Sequence, residues 1–244
     1  MIWAASAALI LAGCAAHAPA TVNRSSVTMR ESGLTQARVI YIPEEHGDPS
    51  HHQLQERIIQ SLHRRAESVM VGMEMIDVTQ QAELDQYLTG RISWSEFSRR
   101  TGFDREWGKT SPAYQRILTW CRENDIPVIG LNAPPSVTRK IARDQKLTPA
   151  EALLIPSFPE PPGGFEKFKA AMAGHPGIGS LRRYYEAQRA WDTTMAGRIL
   201  AWLSEHPGTL VVLLGRYHAD PTTGVPWYVD KKAKTTQVII SPAK

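Results

Sequence analysis

The stretch 37-ARVIYIPEEHGDPSHHQLQERII-59 reads as a strand, a sharp polar break and a helix. Residues 37–42 are rich in β-branched and aromatic side chains, the composition of a short buried strand. Asp48 followed by Pro49 predicts a helix start, with the carboxylate as N-cap and proline at the first helical position, where its missing N–H costs nothing. Leu54, Ile58 and Leu62 then recur at helical spacing, so residues 50–65 form an amphipathic helix. Between strand and helix the chain gathers Glu44, Glu45, His46, His51 and His52.

The same alternation continues outward. Ser68–Met73 reads as a second buried strand, and helical patterns follow at about 78–88, 94–100 and 112–124. Ile126–Leu131 is a third strand, ended by Asn132-Ala133-Pro134-Pro135. Residues 136–180 are short helical pieces cut by Pro/Gly clusters, a helical insertion or small subdomain. A long helix over about 180–205 carries Tyr184, Gln188, Trp191, Met195, Ile199 and Trp202 on one stripe. Thr209–Leu214 is a fourth strand, and 226–230 and 236–240 read as two more. Strands separated by helices predict an α/β fold with a mostly parallel central sheet flanked by helices on both faces. Such sheets bind ligands beyond the carboxyl ends of their strands.

The chain has 244 residues, 42% of them apolar, and a net charge of +4. That length suits one sizeable domain. The small, dispersed charge excess argues against a nucleic-acid partner. Residues 2–13 form an uncharged apolar run too short to span a bilayer, which takes roughly 20 apolar residues; it fits a signal peptide ending at residue 13. The run ends in Leu11-Ala12-Gly13-Cys14, similar to a bacterial lipobox, with Cys14 as the lipidated first residue of the mature protein. No Lys or Arg precedes it, which departs from that pattern. A tether over 14–35 and a domain over 36–244 follow. Cys121 is then the one remaining cysteine, so the mature chain has no internal disulfide.

The predicted strand ends deliver Glu44 and His46, then Glu74 in 71-VGMEM-75, then Asn132, then His218 in 215-GRYH-218. Parallel topology places these at one sheet edge. Glu44, His46, Glu74 and His218 would suit a divalent metal such as Zn²⁺ or Mn²⁺. They would equally suit metal-free acid–base catalysis, or helix capping and buried hydrogen bonding. His51 and His52 open the helix, where an anion or ligand is favoured, and packing or solvent are the alternatives. Gln188 and Asp192 sit one turn apart on the long helix and need partners, which the His/Glu cluster could supply.

The order E-x-H…HH-x-x-Q, GMEM, IGLNAP, YYEAQ-x-x-WD-x-x-MA and LLG-x-x-H with GVP resembles the ChaN-like haem-binding lipoproteins, in a superfamily with Tiki proteases and erythromycin esterases. The superfamily usually has glycine where this chain has Pro43. The resemblance implies a lipid-anchored haem-binding protein of the bacterial cell envelope, at the outer membrane, working in haem or iron uptake. Its implied partners are haem, the membrane, a second protomer and an outer-membrane haem receptor. Tyr184, Tyr185 and Tyr217 are then candidate iron ligands, with Arg183, beside Arg182, near the propionates. His51, His52, Gln188 and Asp192 are further candidates for the haem site. The rival implication is a metal-dependent hydrolase, a protease or esterase, with Glu44, His46, Glu74 and His218 as its catalytic set.

Overall fold

The computed structural model describes residues 20–23, 34, 36–65, 68–173 and 180–241. Cys14, and with it the signal peptide and most of the tether, lies outside them. The strands are β1 (Ala20–Asn23), β2 (Val39–Glu44), β3 (Val69–Asp77), β4 (Val128–Asn132), β5 (Thr209–Gly215) and β6 (Gln237–Ser241). They form one sheet in the order β1-β6-β2-β5-β3-β4, and every pairing is parallel. The expected α/β architecture is therefore present. Within the segment read as tether, Ala20–Asn23 instead runs as an edge strand against β6.

The helices are α1 (Pro49–His63), α2 (Gln81–Leu88), α3 (Trp94–Thr101), α4 (Phe103–Trp107), α5 (Ser111–Glu123), α6 (Pro135–Ala142), α7 (Pro149–Leu153), α8 (Gly164–Ala171), α9 (Leu181–Glu205) and α10 (Val225–Lys232). Asp48 caps α1 as its sequence implies, accepting from the Ser50 N–H at 2.8 Å. The stretch 226–230, read as a strand, is helix α10. Pro226 suits its first turn, and burying Val225, Tyr228 and Val229 together takes the 3–4 spacing of a helix rather than the alternation of a strand. Lys231 and Lys232 fall in its last turn, where they complement the helix dipole. α6 packs against α9, so the 136–180 stretch contributes to the helical layer as well as carrying α7 and α8.

Period-2 alternation divides the core. Ile40 and Ile42, Val71 and Met73, Val211 and Leu213 face one way, against Leu54 and Ile58 of α1, Leu84 of α2 and Tyr114, Ile117 and Cys121 of α5. Val39, Tyr41, Leu210, Val212 and Leu214 face the other, against Met195, Ile199 and Trp202 of α9 and Tyr228 and Val229 of α10. Tyr185, not Tyr184, takes the buried position at the start of the α9 stripe; Tyr184 is exposed.

β5 lies between β2 and β3, so the ends of these three strands form the middle of the sheet edge. Glu44 stands directly opposite Gly215 in the register. β3 is longer than its apolar run and places Glu74 inside the strand, just where the pairing with β4 becomes irregular. Pro43 is accommodated for a definable reason. The carbonyls of Arg38 and Glu44 accept from Leu210 of β5 and from Arg216 just after it, so even-numbered residues of β2 pair with β5. Pro43 thus turns its nitrogen towards β6, where pairing ends at Tyr41.

Candidate functional site

Two hydrogen-bonded groups meet at this edge, one from each face of the sheet. The first is built on Glu44, the last residue of β2, only 1% exposed. Its Oε1 accepts from His46 Nδ1 at 2.7 Å and from the Tyr114 hydroxyl, and its Oε2 accepts from Gln55 Nε2 at 2.7 Å. His52 Nε2 is 3.5 Å from Oε2. Burial pushes the Glu44 carboxyl up, but hydrogen bonds from His46, Tyr114 and Gln55, with the His52 imidazole close by, outweigh it and hold the pKa at about 2. The hydrogen bond to Glu44 raises the His46 pKa against the pull of burial. Tyr114 is pushed well up, first by burial and then by Glu44, so it stays a donor. With Nδ1 committed to Glu44, His46 turns Nε2 towards Gly215, its ring against Trp107 at 5.2 Å.

The second group hangs from the other face. The Gly215 N–H donates to Glu74 Oε2 at 2.5 Å, and Glu74 Oε1 lies 3.3 Å from His218 Nε2. His218 Nδ1 is 2.5 Å from Asp192 Oδ1, with Gln188 Nε2 at 3.0 Å. The turn after β5 fixes His218: its N–H donates to the Gly215 carbonyl at 3.0 Å, and its carbonyl accepts from Val225 at 2.8 Å. Burial pulls the His218 pKa down, but Glu74 and Asp192 raise it to about 9. Burial raises Asp192 to about 6, opposed by His218. At neutral pH His218 is therefore an imidazolium whose Nδ1 donates to Asp192 and whose charge is balanced by Glu74 on the Nε2 side.

Gly215 is the meeting point. A Cβ built on it would lie 3.1 Å from His46 Nε2, 3.6 Å from Glu74 Oε2 and 3.6 Å from His218 Cδ2. Residues spread from 44 to 218 thus converge on one rim, as the topology predicts. Among the described residues, no group of three or more His, Cys, Asp or Glu is arranged to hold a metal ion. The side chains expected as ligands are instead engaged with one another.

A cleft of about 730 Å³ opens over this rim, within the roughly 300–1,000 Å³ common for small-molecule sites. Glu44, His46, Gln188, Asp192 and His218 border it, with Phe168, Met172 and Lys167 from α8 and its C-terminal end, Tyr185 from α9, and Arg216 and Tyr217 from the loop after β5. Tyr217 is 62% exposed and Tyr185 only 4%. A second cleft, of about 480 Å³, lies on the other side of His218 and Glu74, and Asn132 belongs to it.

The remaining candidates fall elsewhere. Tyr184 and Arg183 are not in the lining of either cleft, and Arg183 is held by Glu186 and Asp144. His51 faces the loop, where its Nδ1 accepts from the Glu45 N–H at 2.9 Å. His52 is buried beneath Glu44, edge-on to Tyr114. Gln55 and Tyr114 were not singled out as site residues by the sequence reading. Gln55 is the final residue of the HH-x-x-Q motif; Tyr114 looks there like one more apolar position of an amphipathic helix.

A profile of the family described as haem-binding uptake, Tiki superfamily, ChaN matches residues 32–229. The chain belongs to this family. The ChaN structure from Campylobacter jejuni, described as binding haem cofacially, shares 19% identity at a TM-score of 0.70, over 88% of this chain and 86% of that one. An erythromycin esterase in its open conformation shares 12% identity at a TM-score of 0.53, over 87% and 71%. The C-terminal region of Pasteurella multocida toxin, described as holding a thiol-protease-like catalytic triad, shares 11% at 0.52, over 82% of this chain and 23% of that one. At these identities the likeness is one of fold. No curated protein matches the chain significantly.

Proposed function

We propose that this ChaN family member binds haem in the 730 Å³ cleft above the ends of β2, β3 and β5. Family membership over residues 32–229 carries this reading, and the chemistry of the cleft fits the ligand. Phe168, Met172 and Ala171 offer an apolar wall to a porphyrin, and Lys167 and Arg216, paired with Asp220 and Glu45, lie at its border. Of the three tyrosines considered, Tyr217 alone is both well exposed and in the lining. Its ring carries the Arg216 guanidinium at 4.9 Å, and Arg216 Nη2 donates to its hydroxyl at 3.1 Å, so an oxygen bound to iron would have a cation beside it. Haem, when bound, supplies an iron centre for which a tyrosine oxygen is a suitable ligand. Titration of the purified protein with haemin tests this. A saturable Soret shift is expected, altered in Tyr217→Phe and unchanged in Tyr184→Phe; no shift in the wild type overturns the proposal.

The Leu11-Ala12-Gly13-Cys14 sequence supports lipid anchoring through Cys14. The haem-uptake family suggests the rest of the setting, an outer-membrane protein that would work as a homodimer and pass haem or iron to an uptake receptor. No helix among the described residues is long and apolar enough to cross a membrane. Cys14→Ala should abolish labelling by a fatty-acid probe and release the protein from the membrane fraction; unchanged labelling would refute the anchor.

One observation favours a second reading, hydrolysis. His46 presents Nε2 to the cleft while Glu44 holds Nδ1, the arrangement of a general base, and the His218 imidazolium places a positive charge on the other side of Gly215. Ester or peptide hydrolysis lost in His46→Ala would support it, and an added Zn²⁺ or Mn²⁺ requirement would show whether a metal takes part. Equal background rates in wild type and variant would refute it.

A further inference from the structure

Five buried side-chain polar atoms have no hydrogen-bond partner among the described residues: Arg38 Nε, His52 Nε2, Gln55 Oε1, Tyr185 Oη and Trp202 Nε1. Of these residues only Tyr185 lines the main cleft. A buried hydroxyl without a partner carries a desolvation cost that nothing offsets, so native proteins pair nearly all of them. Other polar side chains that line the cleft are engaged: Gln188 and Asp192 with His218, Lys167 with Asp220 and Thr222, Arg216 with Glu45.

We propose that the Tyr185 hydroxyl is a ligand-contacting donor, which hydrogen-bonds an anionic oxygen of the molecule held in the cleft. For the haem reading, on which this rests, that oxygen belongs to a propionate. Burial pushes the phenol up to about 12, so it keeps its proton and can donate; an anionic acceptor is its strongest partner. The ring is fixed by Phe165 and Phe168 of α8, each 5.5 Å away, and by the Arg182 guanidinium at 5.4 Å. Its oxygen rests against Gly164, the first residue of α8: a Cβ there would lie only 2.2 Å from it. A ligand therefore reaches the hydroxyl when the first turn of α8 moves aside. The polar tie of α8 to the far wall, from Lys167 to Asp220 and Thr222, is exposed, the kind of link that opposes such a shift only weakly.

Titration of wild type and Tyr185→Phe with haemin and with haemin dimethyl ester, followed at the Soret band, tests the assignment. The ester keeps the macrocycle and iron but lacks the anionic oxygens. The wild type should prefer the free acid, and the variant should lose roughly tenfold of that preference, the effect of one charge-assisted hydrogen bond. The melting temperature of the ligand-free variant should be unchanged or raised, since the hydroxyl has no protein partner to lose. A wild type that binds haemin, with an unchanged acid-to-ester ratio in the variant, overturns this inference alone. A ligand-free variant that melts several degrees lower also overturns it, because the hydroxyl then has a structural bond. A wild type that binds neither compound overturns the haem reading and this assignment together.

Discussion

Gly215 seats His46, for a Cβ on that glycine would stand 3.1 Å from the imidazole Nε2. The same residue is the register partner of Glu44 and donates its N–H to Glu74. It therefore touches both halves of the site through backbone alone. In Gly215→Ala the methyl group displaces the His46 ring, which can swing, rather than the strand, which cannot. The variant should melt within a few degrees of wild type yet bind haem about tenfold more weakly, on the order of 1.4 kcal/mol. Calorimetric melting and haem titration on one preparation separate the two effects.

Tyr114 reaches Glu44 from α5, on the same face of the sheet. Tyr114→Phe keeps the ring, and with it the edge contacts to His52, Trp107 and Phe103, but removes one donor from a buried carboxylate. A loss of about 1.5–3 kcal/mol in urea unfolding is expected, as for a hydrogen bond to a charged group. A change below about 0.5 kcal/mol would contradict the bond.

Glu44 sets an acid limit. Its pKa is about 2 in the folded protein against an ordinary 4.5, so its contribution to stability is complete above about 4.5 and is lost as the pH falls towards about 2. The whole effect is on the order of 3 kcal/mol. Urea midpoints measured between pH 2 and 6 should fall in the wild type and fall less steeply in Glu44→Gln. Parallel curves would mean that Glu44 is not the group responsible.

Asp192 and Glu74 share the His218 charge. Asp192→Asn retains the shape but leaves a buried imidazolium with one carboxylate. Breaking such a pair costs about 3–5 kcal/mol, and the variant's unfolding midpoint should drop accordingly, whereas Asp48→Asn, at the exposed cap of α1, should change far less.

Much of this arrangement was legible in the residues themselves. The apolar runs ending in Glu44 and His218, and the parallel topology that strand–helix alternation implies, were enough to bring four distant side chains to one edge. Gln188 and Asp192 were recognised as polar groups in need of partners, and His218 is that partner. Tyr114 was not, because its hydroxyl leaves no trace in a periodicity that treats Tyr114, Ile117, Leu118 and Cys121 alike. The segment 226–230 was misread because a five-residue apolar window fits strand and helix equally; burial of Val225, Tyr228 and Val229 on one face settles it. Arg183 illustrates the limit of composition: a charge beside two tyrosines looked available, and neighbouring carboxylates occupy it.

Because Glu44 descends into the α1–α5 core while Asp192 arrives on α9, the two imidazoles are braced by separate hydrophobic layers. Truncating Ile58 would slacken the His46 side and leave its counterpart firm; truncating Ile199 would do the reverse. The molecule can thus retune one imidazole by repacking beneath it without disturbing the other, a modularity that a site mounted on a single helix would lack.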